Sequence, residues 1–333
     1  MKKTVLFTAA ACALLMLASC GGGSKDSSSS GSSGSGSSGS DAAKLLKGAK
    51  DAASAFSEIA KQLEGGDAAA AIASIEAAIP LLKQEKATPE SLFRYELTKD
   101  GSGVKILGPA DGATFSGTLV FPDTIEGLPV KEIKKMKSDI VTAIIVPEGV
   151  TYFGGFEGIA LMYVSLPSTI ASLETDTFSS CKKLARIDIP ENAPLQTIPY
   201  HFASETALAQ FKFPSAVKNI GCSAFMGTKL TSVEIPDGVE VLGLGSFGNR
   251  SDSFVLCFAS CKELTSVKLP KSLQYVGPSC FSGCSNLTDV IVPDGIGQVI
   301  WKRYATSNDS FEGTHLNLKS QAAVKAIGYK DAF

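Results

Sequence analysis

Histidine is nearly absent, with His201 and His315 the only two in 333 residues, and tryptophan occurs once, at Trp301. Neither histidine has a serine or cysteine placed to use it as a base, so nucleophilic hydrolysis has no constellation to stand on. Charge of one sign is also lacking, since 31 basic residues meet 33 acidic ones. No basic block or arginine–aromatic surface stands out, which argues against nucleic acid as a partner. Past the first twenty residues no apolar run is long enough to span a bilayer. The expectation is a binding protein rather than an enzyme, with no catalytic residue, cofactor or metal.

What is present is repetition. Prolines stand at Pro147, Pro167, Pro190, Pro214, Pro236, Pro270 and Pro293, and the step is 20 to 24 residues in all but one case. Apolar residues occupy the positions one and three before each proline, as in Ile187 and Ile189 or Val267 and Leu269. Six before it most copies carry a leucine, such as Leu161, Leu184, Leu208, Leu230, Leu264 and Leu287. Eleven or twelve after it comes a phenylalanine, at Phe178, Phe202, Phe225, Phe247 and Phe281. A fixed period of this length predicts a solenoid whose coils stack one on the next. Alternation turns the residues one and three before the proline inward, and those two and four before it outward. Proline cannot donate to a ladder and ends each strand. Gly154, Gly221, Gly243 and Gly277, seven after their prolines, suit tight corners with positive φ.

The front of the chain reads differently. Met1-Lys2-Lys3 and an apolar run from Val5 to Leu17 form an export signal that is too short for an ordinary spanning helix. It closes on Leu17-Ala18-Ser19-Cys20, which resembles a bacterial lipobox. That resemblance implies cleavage before Cys20 and lipidation of its thiol. Gly21 rather than an aspartate follows, which points to the outer membrane. From Gly21 to Ser40 nearly every residue is glycine or serine, a flexible tether with a reach of roughly 25 Å. Leu45, Ala49, Ala52, Phe56, Ile59 and Leu63 then follow helical spacing, and Ile72, Ile75, Ile79 and Leu82 form a second stripe. Gly65-Gly66 between them predicts an antiparallel helical hairpin, with Asp67 capping the second helix and Pro80 kinking or ending it early. The hairpin is either a spacer or cap for the solenoid, or an oligomer contact.

The words FPDTIEGLPVKEI, CKKLARIDIP, CKELTSVKLP and CSNLTDVIVPDGI resemble the BspA-like leucine-rich repeats of bacterial surface proteins. The resemblance covers about Phe93 to Val299. It implies a leucine-rich repeat solenoid of short β-strands and turns with few helices, preceded here by the small α-helical hairpin. It also implies adhesion and protein binding, without a shared chemistry. Glu205 and Thr228 stand near where a cysteine is usual, and Phe156 falls only nine after its proline. The expected layout is a signal peptide over 1–19, lipidated Cys20 and tether over 20–40, and the hairpin over 41–91. An N-terminal cap over 92–135, repeats over 136–299 and a C-terminal cap over 300–333 complete it.

Function is to be sought on the outward rows. Two before the proline stand Asp188, Lys212, Glu234 and Lys268, which at a strand spacing of about 4.8 Å form an alternating charge ladder, either self-neutralising or matched to a charged partner. Four before it stand Tyr163, Arg186 and Gln210, residue types suited to a contact patch. The step of 34 between Pro236 and Pro270 holds an insertion of about eleven residues between Phe247 and Phe258. Its polar stretch, with Asn249, Arg250, Ser251 and Asp252, is a second candidate contact or a tolerated loop. Gly243-Leu244-Gly245-Ser246-Phe247-Gly248 spells a dinucleotide fingerprint but lacks the strand–helix context that would give it meaning. Cys257 with Cys261 and Cys280 with Cys284 are offset by one coil of 23 residues. A buried thiol ladder, rung-to-rung disulfides and a zinc site are the three readings. After Pro293, Leu316 and Leu318 are expected in a last strand and Ser320 as the cap of a short helix ended by Gly328, with Trp301 in the cap or on a contact. Together these features predict a lipid-anchored, adhesin-like binding protein of the cell surface. Its partner would be a macromolecule, in the first place a protein on a host or neighbouring cell, and it would meet the membrane through the lipid alone. The alternative is a structural lipoprotein that faces the periplasm and scaffolds an envelope assembly.

Overall fold

Six of the seven repeat prolines, all but Pro214, close a strand. In the computed structural model, which describes residues 49, 51–244, 256–301 and 309–333, the strands Val141–Ile145, Tyr163–Ser165, Arg186–Asp188, Ser232–Glu234, Ser266–Lys268 and Asp289–Ile291 all end two residues before theirs. They pair in parallel and in register, Ile144 with Val164 and Ile187, and Val233 with Val267 and Val290. These central residues are buried, as the alternation requires. A second row runs from Val104–Pro109 through Leu128–Ile133, Tyr152–Phe153 and Ser172–Leu173. It resumes at Thr197–Ile198 and continues to Ile300–Trp301. The antiparallel strand Phe93–Leu97 opens this second row, folded back at Asp100-Gly101.

Between the two rows runs a column of rings, Phe93, Phe121, Phe153, Phe178, Phe202, Phe225, Phe258, Phe281 and Phe311. From Phe225 to Phe311 the centroids lie 5.3, 5.5 and 5.5 Å apart with planes within 3 to 7°. Phe258 stands in the column for its coil, while Phe247 lies outside the described residues. Phe153 supplies the ring in the coil where Phe156 was the candidate, and both are fully buried.

The corners are turned mostly by residues other than the expected glycines. Asp176 and Ser180 flank Phe178 with φ of 54° and 61°, and Leu256 and Ser260 flank Phe258 with 37° and 58°. Of Gly154, Gly221, Gly243 and Gly277, only Gly243 has positive φ, at 92°. Gly221 is needed for another reason: a Cβ there would stand 2.6 Å from Tyr200 N, so the neighbouring coil leaves no room for one.

The hairpin comprises α1 (Ala52–Glu64) and α2 (Ala68–Leu82). Asp51 caps α1 in a reciprocal capping box with Ser54, and the Asp67 side chain accepts from Ala70 N at 2.9 Å. Pro80 sits inside α2, which runs on to Leu82. So near the helix end it removes only one late hydrogen bond. Neither a spacer nor a cap, the hairpin lies on the outward face of the first strand row. Ala55, Phe56, Ile59, Ala71, Ile75 and Ala78 form one buried cluster with Ala143, Met162, Tyr163 and Ala185, distinct from the solenoid core. Glu64 reaches Lys183 at 2.7 Å and Glu76 reaches Arg186 at 2.5 Å.

At the far end α3 (Leu318–Ala326) closes the stack. Leu316 and Leu318 form no strand; Leu318 instead starts the helix and is exposed. Asn317, not Ser320, is the cap, accepting from Ser320 N at 2.8 Å. The Ser320 hydroxyl accepts from Val290 N at 2.9 Å and so satisfies the last strand of the row. Trp301 and Tyr329 pack on Phe311, the last ring of the column.

Candidate interaction surface

The outward rows divide into a covered and an open part. Tyr163 is 3% exposed beneath the hairpin, and its hydroxyl donates to Asp188 Oδ2 at 2.9 Å. Arg186 donates from Nε to Asp188 Oδ1 at 2.8 Å and from Nη1 to Glu76. Burial works against the Arg186 charge, but Asp188 and Glu76 outweigh it and hold the proton more firmly. Burial, then Asp188, push the Tyr163 phenol up. These three residues therefore fasten the hairpin to the strands rather than stand free in solvent. Sequence alternation identifies the outward side of a strand, but it cannot tell that a helix covers it.

Past the hairpin the row is open, and Gln210, Lys212, Glu234 and Lys268 are exposed. The charge ladder forms in part. Lys268 reaches Glu234 at 2.5 Å, whereas Lys212 turns to Glu191 at 2.7 Å and lowers that carboxyl's pKa through the hydrogen bond. The interruption lies at Leu208–Phe213, which forms no strand, so the first row splits into a four-stranded and a three-stranded part. Asn249, Arg250, Ser251 and Asp252 lie outside the described residues, as does Cys20.

A cleft of about 520 Å³ opens at the split, between α2 and the strand row, with Ile72, Glu76, Arg186, Asp188, Gln210 and Phe211 in its lining. Phe211, Glu76 and Glu191 are the lining residues that sequence reasoning passed over. Phe211 alone carries a sequence signal: only at Pro214 are the residues one and three before the proline both phenylalanines.

The six described cysteines are buried thiols, none of them in a disulfide. Cys261 donates to Phe225 O at 3.1 Å and Cys284 to Phe258 O at 3.0 Å, each tying its coil to the preceding one. Thr228 stands at the equivalent place, and its hydroxyl donates to the same Phe225 O at 2.9 Å. Burial pushes the Cys181 thiol up to about 11 and raises that of Cys257. The six are packing and hydrogen-bonding groups, and the raised thiols of Cys181 and Cys257 are too protonated to serve as nucleophiles at neutral pH. Among the described residues no group of three or more His, Cys, Asp or Glu is placed to hold a metal ion. His201 Nδ1 lies 3.0 Å from Asp176 Oδ1 at a coil corner.

The profile of the BspA type leucine-rich repeat region matches residues 136–253 and 255–328 in six copies. Among solved structures, the chain is similar to the T. pallidum leucine-rich repeat protein TpLRR, at 27% identity and a TM-score of 0.48, covering 74% of this chain and 99% of that one. A leucine-rich repeat protein of Bacteroides ovatus aligns at 22% identity and a TM-score of 0.43 over 68% of this chain and 56% of that one. A leucine-rich cell surface protein of Faecalibacterium prausnitzii aligns at 16% and 0.32 over 75% and 99%. No curated protein matches the chain.

Proposed function

Because the chain belongs to the BspA-type leucine-rich repeat family, we propose that it is a cell-surface binding protein, held by lipid at Cys20 and presenting its solenoid to a protein on a host or neighbouring cell. The observation that carries this reading is the open half of the strand row. Gln210, Lys212, Glu234 and Lys268 stand exposed there, unlike Tyr163 under the hairpin. Rows of this kind bind through their side chains while the repeat merely spaces them. The insertion with Asn249, Arg250, Ser251 and Asp252 falls between the coils that carry Glu234 and Lys268, and we assign it to the same contact. Tyr163, Arg186 and Asp188 contribute by holding the hairpin that borders the open part. No helix among the described residues is long and apolar enough to cross a membrane, and the proposed tie to the outer membrane is the lipid on Cys20. Dual or triple acylation anchors stably where a single chain does not.

Protease added to intact cells, with the repeat domain followed by antibody and a permeabilised control, tests this reading. Digestion on intact cells is the expected result. Survival until permeabilisation would replace it with a periplasm-facing scaffold of an envelope assembly.

A further inference from the structure

The seven prolines share one rule that is broken once. At six of them the inward residues one and three before are valine, isoleucine or leucine, and at Pro214 they are Phe213 and Phe211. Parallel strands stack about 4.8 Å apart, and two phenyl rings demand more room on the inward side than an aliphatic pair. Both rings crowd against the phenylalanine column. Phe211 meets Phe202 at 5.7 Å, Phe213 at 4.8 Å and Phe225 at 5.1 Å, and Phe213 meets Phe225 at 5.5 Å. The backbone they carry leaves the ladder. Among the described residues no main-chain hydrogen bond joins Gln210, Phe211 or Lys212 to the strands on either side. Arg186–Asp188 and Ser232–Glu234 thus become edges in the middle of the solenoid. An unpaired edge is a template for another extended chain.

The space at this break is a groove. The 520 Å³ cleft on one side of Gln210–Lys212 and a second of about 550 Å³ on the other share Glu191, Gln210, Phe211 and Lys212. Both are of a size that takes side chains of a peptide. Its floor is Phe211, only half-buried, and Ile72 of α2 forms part of a wall. Its charge is lopsided. Glu76, Asp188, Glu191 and Glu234 line it against Arg186 and Lys212. Even with Lys268 counted for its bond to Glu234, one negative charge is left over.

We propose that this groove takes an extended segment of the partner protein, with an apolar or aromatic side chain on Phe211 and an adjacent lysine or arginine shared by Glu76, Asp188 and Glu191. The segment's main chain bonds the free edge at Arg186–Asp188, beside Gln210–Lys212, and the alternate side chains supply selectivity, as in other strand-addition modes. This rests on reading the chain as a protein-binding solenoid, and it names the place and the chemistry of what is bound. The aromatic floor supplies the anchor and the acidic walls the orientation.

The test uses random twelve-residue peptides displayed on phage, panned on the full-length protein and counter-selected on the Phe211→Val/Phe213→Ile double variant. That variant copies the aliphatic pair of the other coils, so it should complete the ladder. Amide exchange at residues 210–212 then slows while the rest of the pattern stays. Enriched peptides should pair an aromatic or large aliphatic residue with Lys or Arg, bind the wild type and fail on the double variant. Glu191→Lys, at an exposed position that cannot unfold the coil, should weaken them by about tenfold or more. Absence of enrichment, acidic winners, or winners that bind wild type and Glu191→Lys equally would overturn the groove. Equal binding would leave a protein-binding solenoid in place with its contact elsewhere, whereas protection from protease on intact cells would undo the surface reading without touching the peptide result.

Discussion

Single residues in this solenoid do more than fill their coil. Tyr163, read from alternation as an outward contact, spends its hydroxyl on Asp188 beneath a helix. Tyr163→Phe keeps the ring and removes that bond, so it should cost about 1–2 kcal/mol in denaturant unfolding. The thiols act at the same scale. Burial keeps the Cys181 proton up to about pH 11, whereas an unfolded cysteine loses it near pH 8.5. Between those values the unfolded chain holds fewer protons than the native one, so stability falls as pH rises. The urea midpoint should therefore be flat up to about pH 8 and drop steadily toward pH 11. Thiol-specific reagents at neutral pH should label the buried cysteines only after unfolding. Rapid labelling of the native chain would contradict the packing role.

At the scale of elements, the hairpin and the coils are held by different means. The coils share the phenylalanine column, and Phe258→Ala should cost about 3–5 kcal/mol because both stacked neighbours lose a face. The hairpin has its own apolar cluster, built largely from alanines, and two ion pairs at its edge. It also buries the Gln62 amide and the Ser74 hydroxyl, for which the described residues supply no hydrogen-bond partner. Such groups each cost about 1–3 kcal/mol. The hairpin is accordingly the less stable unit, and its amides should exchange before those of the strands. High salt should speed that exchange, since screening at 1 M acts within about 3 Å. Ser74→Ala, which removes a buried hydroxyl and improves helix propensity, should slow it. An unchanged or faster rate in Ser74→Ala would mean that the serine is satisfied in solution.

For the whole molecule, the proposed arrangement is a lipid at Cys20, a tether, and a stack whose first strand row is roofed at its start and open further along. Cys20→Ser should release the protein from the membrane fraction, and retention there would call for another anchor. The proline period, the inward rows, the phenylalanine column and the helical stripes were all legible, because each is a local pattern that a neighbouring copy repeats. The phase of the insertion was legible too, since Phe258 recovers the register. Other features were not. Alternation marks the outward side of Tyr163–Ser165 and Arg186–Asp188, but not the alanine-rich helices that lie on it.

The chain by itself determined the number and pitch of its coils and which residues face the core, since strand alternation and a fixed repeat leave those no freedom. Tertiary structure alone decided where the hairpin docks and where the ladder opens. The first depends on matching two apolar surfaces that are far apart in sequence. The second depends on whether two phenyl rings fit between strands, a question of volume in the assembled stack that no periodicity records.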